Sequence, residues 1–410
     1  MGEASSAGPI TWLHGLRVVD FTHVLAGPYC TRLLADLGAE VIKIEPPRGE
    51  LARALPHVIR PGHSGYYIQQ NAGKKSLCLD LRDPRGRKIV EQLIATADVL
   101  VENFTPGVIA RLGFGYAALR HINPRLVMCS ISGFGQWGPY RDLKAFATIA
   151  AAVTGLYSTM VPPEYHGPPP INAWPDTNAG SHACVAILAA LRRRDETGEG
   201  CYIDLSLTDA MVSTLDTQIQ EYTVSQGAVV PDDQRHVLRA IVPGFLYPTP
   251  HGPIIINPGA DEFWNGICRV MGRDDLVRDP RFATRALRGR NREALDAILI
   301  DWLASLPSRD DAVTRLSEAG VPVAPVLNVP EAVSHPHIRA RGMIATVSDP
   351  VLGDVEITNT PFHTSAGRST PQGHAPALGE HNREILEKLL ALTDSDITEL
   401  EHAGVLHASE

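Results

Sequence analysis

Between Leu16 and Glu45 the chain spells out a unit that few folds can accept. Leu16–Phe21 reads as a buried strand, and Thr22–Pro28 as a turn that opens a helix carrying apolar Leu33, Leu34 and Leu37. Gly38 stops that helix, and Val41–Glu45 is the next strand. A strand, a helix and a strand in close succession make a parallel pair joined by a crossover. Parallel strands need helices on both faces, so the rest of the chain must supply them. The loop after the first strand falls at the carboxyl edge, where such sheets bind ligands. No G-x-G-x-x-G follows that strand, which leaves a dinucleotide little support.

The same rhythm continues. Ser76–Leu81 predicts a strand, and Asp83–Pro84 starts a helix whose stripe is Ile89, Val90, Leu93 and Ile94. Asp98–Phe104 and Leu126–Ile131 predict two further strands, with a short helix over Ile109–Leu112 between them. Tyr202–Leu207 predicts another, followed by one helix to about Ser225. These elements predict an α/β fold, with a doubly wound large domain beginning at 1–225. Residues 226–330 predict a smaller α+β domain, loop-rich at first, with helical patterns over 261–320 and a strand at Val321–Val326. Residues 331–410 read as a linker and a return to the large domain, ending in a helix from Arg383 to Leu392.

One helix carries a candidate reactive group. Trp174–Gly180 leads into the apolar run Ala183–Leu191, which ends in Arg192, Arg193 and Arg194 before Gly198. Positions 184, 187, 188 and 191 share a face, which anchors the helix in a core. Asp176 then sits at the helix mouth, where the expected helix dipole keeps its carboxylate ionised. A fixed, ionised carboxylate can attack an activated acyl group. The same position also suits an ordinary N-cap.

The totals narrow the partners. The chain has 410 residues and a net charge of −9 with no basic stripe, which disfavours nucleic acid. Six cysteines at 30, 78, 129, 184, 201 and 268 form no C-x-x-C pair. They read as reduced residues of a cytoplasmic protein, not a disulfide or metal framework. No export signal is expected, because Met1–Pro9 is small and polar with no basic segment followed by an apolar one, and no membrane span, because no apolar run approaches about 18 residues.

Several of these stretches together resemble the class III CoA-transferase family, which includes formyl-CoA transferase and carnitine CoA-transferase. The matching words are Gly15–Pro28, Leu34–Glu45, Val101–Phe104 with Pro106–Gly107, Ser132–Pro139, Asp176–Leu191, Thr197–Gly200 and Leu378–His381. They run in family order over nearly the whole chain. The resemblance implies a Rossmann-like large domain, a smaller domain and an interlocked homodimer. It also implies transfer of CoA from an acyl-CoA thioester to a carboxylic acid, through an aspartyl-CoA thioester on Asp176. Coenzyme A would be substrate, with no permanently bound cofactor and no metal. The CoA contacts carried over are His23, Val24, Leu25 and Ala26 along the pantetheine and thioester, and Leu79 and Arg82 beside the nucleotide. Asn103, Phe104, Arg111 and Lys144 complete the set.

The chain also departs from the family pattern. Leu25 stands where formyl-CoA transferase has glutamine, and Ala147 and Ala151 occupy positions that are often acidic and glutamine. These changes predict a less polar pocket, better suited to a hydrophobic or larger acyl acid than to a dicarboxylate. One alternative is an α-methylacyl-CoA racemase-like isomerase or lyase of the same superfamily; Phe146, at the place of that enzyme's histidine, cannot move a proton. Another is a CoA-binding protein without catalysis, which the presence of Asp176 disfavours.

Overall fold

Val18 and Val19 are adjacent in β1 (Arg17–Asp20), yet they enter cores on opposite faces of the sheet. The computed structural model describes residues 8–55, 58–60, 63–161, 164–170, 173–215, 217–228, 230, 246–257 and 260–409. With β1 pair β2 (Glu40–Glu45), β3 (Lys75–Cys78), β4 (Val99–Glu102), β5 (Val127–Ser132) and β6 (Tyr202–Ser206). Their order is β3-β2-β1-β4-β5-β6, and every pairing is parallel. Strand order reverses between β1 and β4, which opens a crevice beyond their carboxyl ends.

The two faces follow from side-chain alternation along each strand. Val18, Val41, Val99, Val127 and Cys129 pack with helices α1 (Ala26–Asp36), α5 (Trp174–Thr197) and α6 (Leu207–Ser213). Val19, Ile42, Leu77, Leu100 and Met128 pack with α3 (Pro84–Ala95) and the C-terminal helices Asn382–Leu390 and Asp394–His402. Two shorter helices, α2 (Gly65–Asn71) and α4 (Ala147–Ala152), lie in the intervening connections. The C-terminal segment is tied to β3: Asn382 Oδ1 accepts from the Cys78 amide at 2.9 Å, and the Cys78 carbonyl accepts from the His407 amide at 3.1 Å.

The described residues of 1–156, 168–215 and 336–410 form one compact unit, and those of 157–167 and 216–335 form another. The second unit has a small antiparallel sheet of Leu246–Tyr247, Ile254–Ile256 and Val323–Pro325. Its core gathers Trp264, Ile267, Leu295, Leu299, Leu303 and Leu316. Most of the loop expected over 226–256 lies outside the described residues.

Three local expectations change. The strand expected over Ser76–Leu81 ends at Cys78, and Leu79 forms a lone antiparallel bridge with Leu406. The single helix expected after β6 is two, Leu207–Ser213 and Gln218–Val224. At the break, the Ser213 and Thr214 hydroxyls donate to the Ala210 carbonyl, so the side chains compete with the backbone for it. Asp176 is not an N-cap. The helix starts at Trp174 after Ala173, which places Asp176 inside the first turn.

Candidate active site at the carboxyl edge of the sheet

The turn leaving β1 is held from three sides. The Asn103 carboxamide accepts the His23 amide at 2.8 Å and donates to the His23 carbonyl at 2.9 Å. Lys43 Nζ donates to the Thr22 carbonyl at 2.7 Å. The Val24 amide donates to Glu50 Oε2 at 3.0 Å. Val24 has φ +65°, a left-handed conformation that a β-branched residue rarely adopts. The turn ends at Leu25, from which α1 departs.

Beneath the turn lies a buried polar layer. Asp20, wholly buried, accepts from the Thr22 amide and from the Thr22 and Thr31 hydroxyls, and pairs with Lys74 at 3.0 Å. Burial opposes its charge, but Lys74 and Lys43 overcome this and hold its carboxyl well below the usual range. Lys43 also pairs with Glu50 at 3.3 Å, and Arg53 with Glu45 at 2.7 Å. Such charges are tolerated in a core only when paired and hydrogen-bonded. The sequence reading missed Lys43, Glu50 and Lys74. A lysine inside a strand buried on both faces was the available signal, because it demands a buried acceptor.

Asp176 lies at the same edge. One turn later, Gly180 packs so closely on α1 that a Cβ there would lie 2.6 Å from the Ala26 carbonyl oxygen. The second turn of α5 therefore packs on the first turn of α1, one turn along from Asp176. Burial pushes the Asp176 carboxyl up to about 6. Desolvation, not the helix dipole, sets the direction of this shift, yet with a value of about 6 the group is still mostly ionised at neutral pH. Tyr66 senses the charges of Asp176 and Glu50, and its half-buried phenol is pushed up to about 12, chiefly by desolvation. Nothing in the sequence singled Tyr66 out.

The remaining candidates fall into distinct groups. His23 is partly buried, and burial followed by the Lys43 charge lowers its pKa, so its imidazole is neutral at pH 7. Its ring meets Phe104 edge-on at 4.6 Å. His23, Val24, Asn103 and Phe104 thus share the crevice between β1 and β4. Leu25, Ala26 and Leu79 are buried at 5%, 3% and 0% exposure, leaving their side chains little surface to offer a ligand. Arg82 is exposed and forked onto Asp80 at 2.7 Å. Arg111 ends the short helix Val108–Arg111 and is exposed, as is Lys144 just before α4. Ala147 and Ala151 are also buried, at 7% and 0%. Leu25, Ala147 and Ala151 are therefore core positions, and the inference of a less polar pocket from them loses its basis.

Residues 13–382 match the model of CoA-transferase family III. The chain is 34% identical over 407 residues to the succinyl-CoA–D-citramalate CoA-transferase of Chloroflexus aurantiacus, covering 98% of this chain and all of that protein. It is 32% identical to the human succinyl-CoA:glutarate CoA-transferase, covering 97% of this chain and 90% of that one. Among solved structures, a CaiB/BaiF family protein from Brucella suis superposes with a TM-score of 0.84 at 33% identity, over 94% of this chain and 100% of that one.

Proposed function

The chain belongs to CoA-transferase family III and is a CoA-transferase; from that premise we propose that it works through a covalent aspartyl-CoA thioester on Asp176. The observation that carries this reading is the placement of Asp176, a desolvated carboxylate in a helix first turn beside the turn that leaves β1. The carboxylate attacks the thioester carbonyl of the donor, giving a mixed anhydride and CoA thiolate. The thiolate attacks the aspartyl carbonyl, forming aspartyl-CoA and releasing the donor acid. The acceptor carboxylate then attacks aspartyl-CoA, and the freed thiolate takes the acceptor acyl group and restores Asp176. Two easier exchanges replace one hard one. A desolvated carboxylate, stripped of part of its water shell, is the better nucleophile for the first step.

In this reading His23, Val24, Asn103 and Phe104 face the pantetheine and thioester, while the exposed Arg82, Arg111 and Lys144 offer cations to the CoA phosphates. Arg82 must exchange Asp80 for phosphate to do so. The names of the relatives favour succinyl-CoA as donor and a dicarboxylic acid as acceptor. We also propose a cytoplasmic homodimer; the exposed Trp137 and Phe146, at 80% and 79%, are apolar surface suited to a second copy.

Intact-protein mass after incubation with a panel of acyl-CoAs, succinyl-CoA included, tests the route. A CoA-sized adduct on the wild type, lost on hydroxylamine treatment and absent in Asp176→Ala, is the expected result. Turnover by Asp176→Ala at the wild-type rate would overturn the assignment.

A further inference from the structure

We propose that Glu50 is a positioning residue for CoA transfer: its buried carboxylate holds Val24 in a left-handed conformation and thereby sets the turn that faces Asp176. This rests on Asp176 being the nucleophile. Val24 at φ +65° is a strained residue, and strain of this kind persists only where neighbours over-determine it. The neighbour here is Glu50. Its Oε2 accepts from the Val24 amide at 3.0 Å and from the Ala52 amide at 2.9 Å, so the carboxylate is itself fixed by the backbone that carries it.

The charge that makes Glu50 a strong acceptor is balanced within the same device. Lys43 pairs with it at 3.3 Å and donates to the Thr22 carbonyl at 2.7 Å. One buried ion pair therefore grips the turn at two points, the Thr22 carbonyl through Lys43 and the Val24 amide through Glu50. Asn103 holds the His23 peptide between them. The turn has no freedom to relax toward an ordinary conformation while these groups are in place. Glu50 touches neither thioester nor acceptor; it acts through Val24. A fold needing only a buried ion pair would not require a strained valine at its end.

The test separates position from charge. Glu50→Asp keeps the carboxylate beside Lys43 but withdraws it from the Val24 amide by one methylene. Val24→Gly removes the steric penalty of positive φ. The expected result for Glu50→Asp is a kcat loss of about tenfold with KM for the acyl-CoA changed less than about threefold. Hydrogen exchange of the peptide over 22–27 should be faster in the same variant. In the Val24→Gly background, the loss caused by Glu50→Asp should shrink to less than about threefold, because the two sites are coupled. The donor is whichever acyl-CoA forms the wild-type adduct. Circular dichroism checks folding, and if Glu50→Asp does not fold, Glu50→Gln is read in the same cycle. Equal losses in both backgrounds, or unchanged kcat and exchange in Glu50→Asp, would overturn the proposal. Faster exchange with no wild-type adduct from any donor would instead sink the Asp176 reading and leave the clamp standing.

Discussion

Asn103 completes both hydrogen bonds of the His23 peptide, accepting its amide and donating to its carbonyl. The side chain does what the backbone of a neighbouring strand would do, beyond the point where β1 and β4 stop pairing. The loop of one strand is thereby locked to the end of the other, across the place where strand order reverses.

Asn103→Ala should loosen that lock. Two partly buried hydrogen bonds are lost and the His23 groups are left seeking water, a cost of about 1–3 kcal/mol. Asn103→Asp should be worse, since it sets an acceptor against the His23 carbonyl. Thermal melts and KM for the acyl-CoA check both. A rise in KM larger for Asp than for Ala is expected, and an unchanged KM in both would separate Asn103 from the site.

Asp176 predicts opposed effects on stability and turnover. Its pKa, raised to about 6, means that the fold disfavours the charged carboxylate. The stability this group contributes is full below the unfolded carboxyl pKa and is lost as pH rises through about 6. Asp176→Asn should therefore gain about 1–3 kcal/mol at pH 7, an upper bound because the site keeps some solvent contact. It should also abolish the adduct. In the wild type, kcat/KM should fall tenfold per pH unit below about 6 as the nucleophile protonates. A pH profile flat from 7 to 5, measured on stable protein, would contradict this.

The sheet was legible because parallel strands buried on both faces leave uninterrupted apolar runs, as at Val18–Val19 and Val127–Met128. Element ends were less so. Pro175 read as the residue before a helix, whereas it is the second helical residue, which moved Asp176 from cap to first turn. Apolar positions were ambiguous: Leu25 or Ala147 looks the same in sequence whether it lines a pocket or fills a core. Long-range polar partners were invisible. Lys74 and Asp20, 54 residues apart, meet only after the crossover has brought the strand ends together.

Gly180 carries a steric prediction. An added Cβ would sit 2.6 Å from the Ala26 carbonyl oxygen, 3.0 Å from Tyr29 Cδ1 and 3.3 Å from the Cys30 amide nitrogen. Two of these are backbone atoms of α1 and cannot swing aside. Gly180→Ala should push α5 from α1, costing about 1–3 kcal/mol despite the better helix propensity of alanine. Because Asp176 is one turn away, adduct formation should slow as well. Thermal melts and the adduct rate check this; a stabilised, fully active variant would show that the helices can part without cost.

Lys74 gives the sharpest stability prediction. Its buried ammonium donates to Asp20 at 3.0 Å, the Pro28 carbonyl at 3.1 Å, the Thr31 hydroxyl at 2.8 Å and Asn71 at 2.9 Å. Burial nonetheless lowers its pKa to about 8, because Lys43 adds repulsion and the acceptors only partly offset desolvation. Lys74→Met removes the cation and leaves Asp20 charged in the core, with two hydroxyls, one amide and the more distant Lys43 to stabilise it. Breaking one side of such a pair costs about 3–5 kcal/mol. For a unit of this size the melting temperature should fall by roughly 10 °C. Adding Asp20→Asn to Lys74→Met removes the stranded charge and should recover part of the loss. If the double variant melts no higher than Lys74→Met alone, the uncompensated Asp20 carboxylate is not the source of the instability, and the lost packing of the Lys74 side chain against α1 and α2 must account for it.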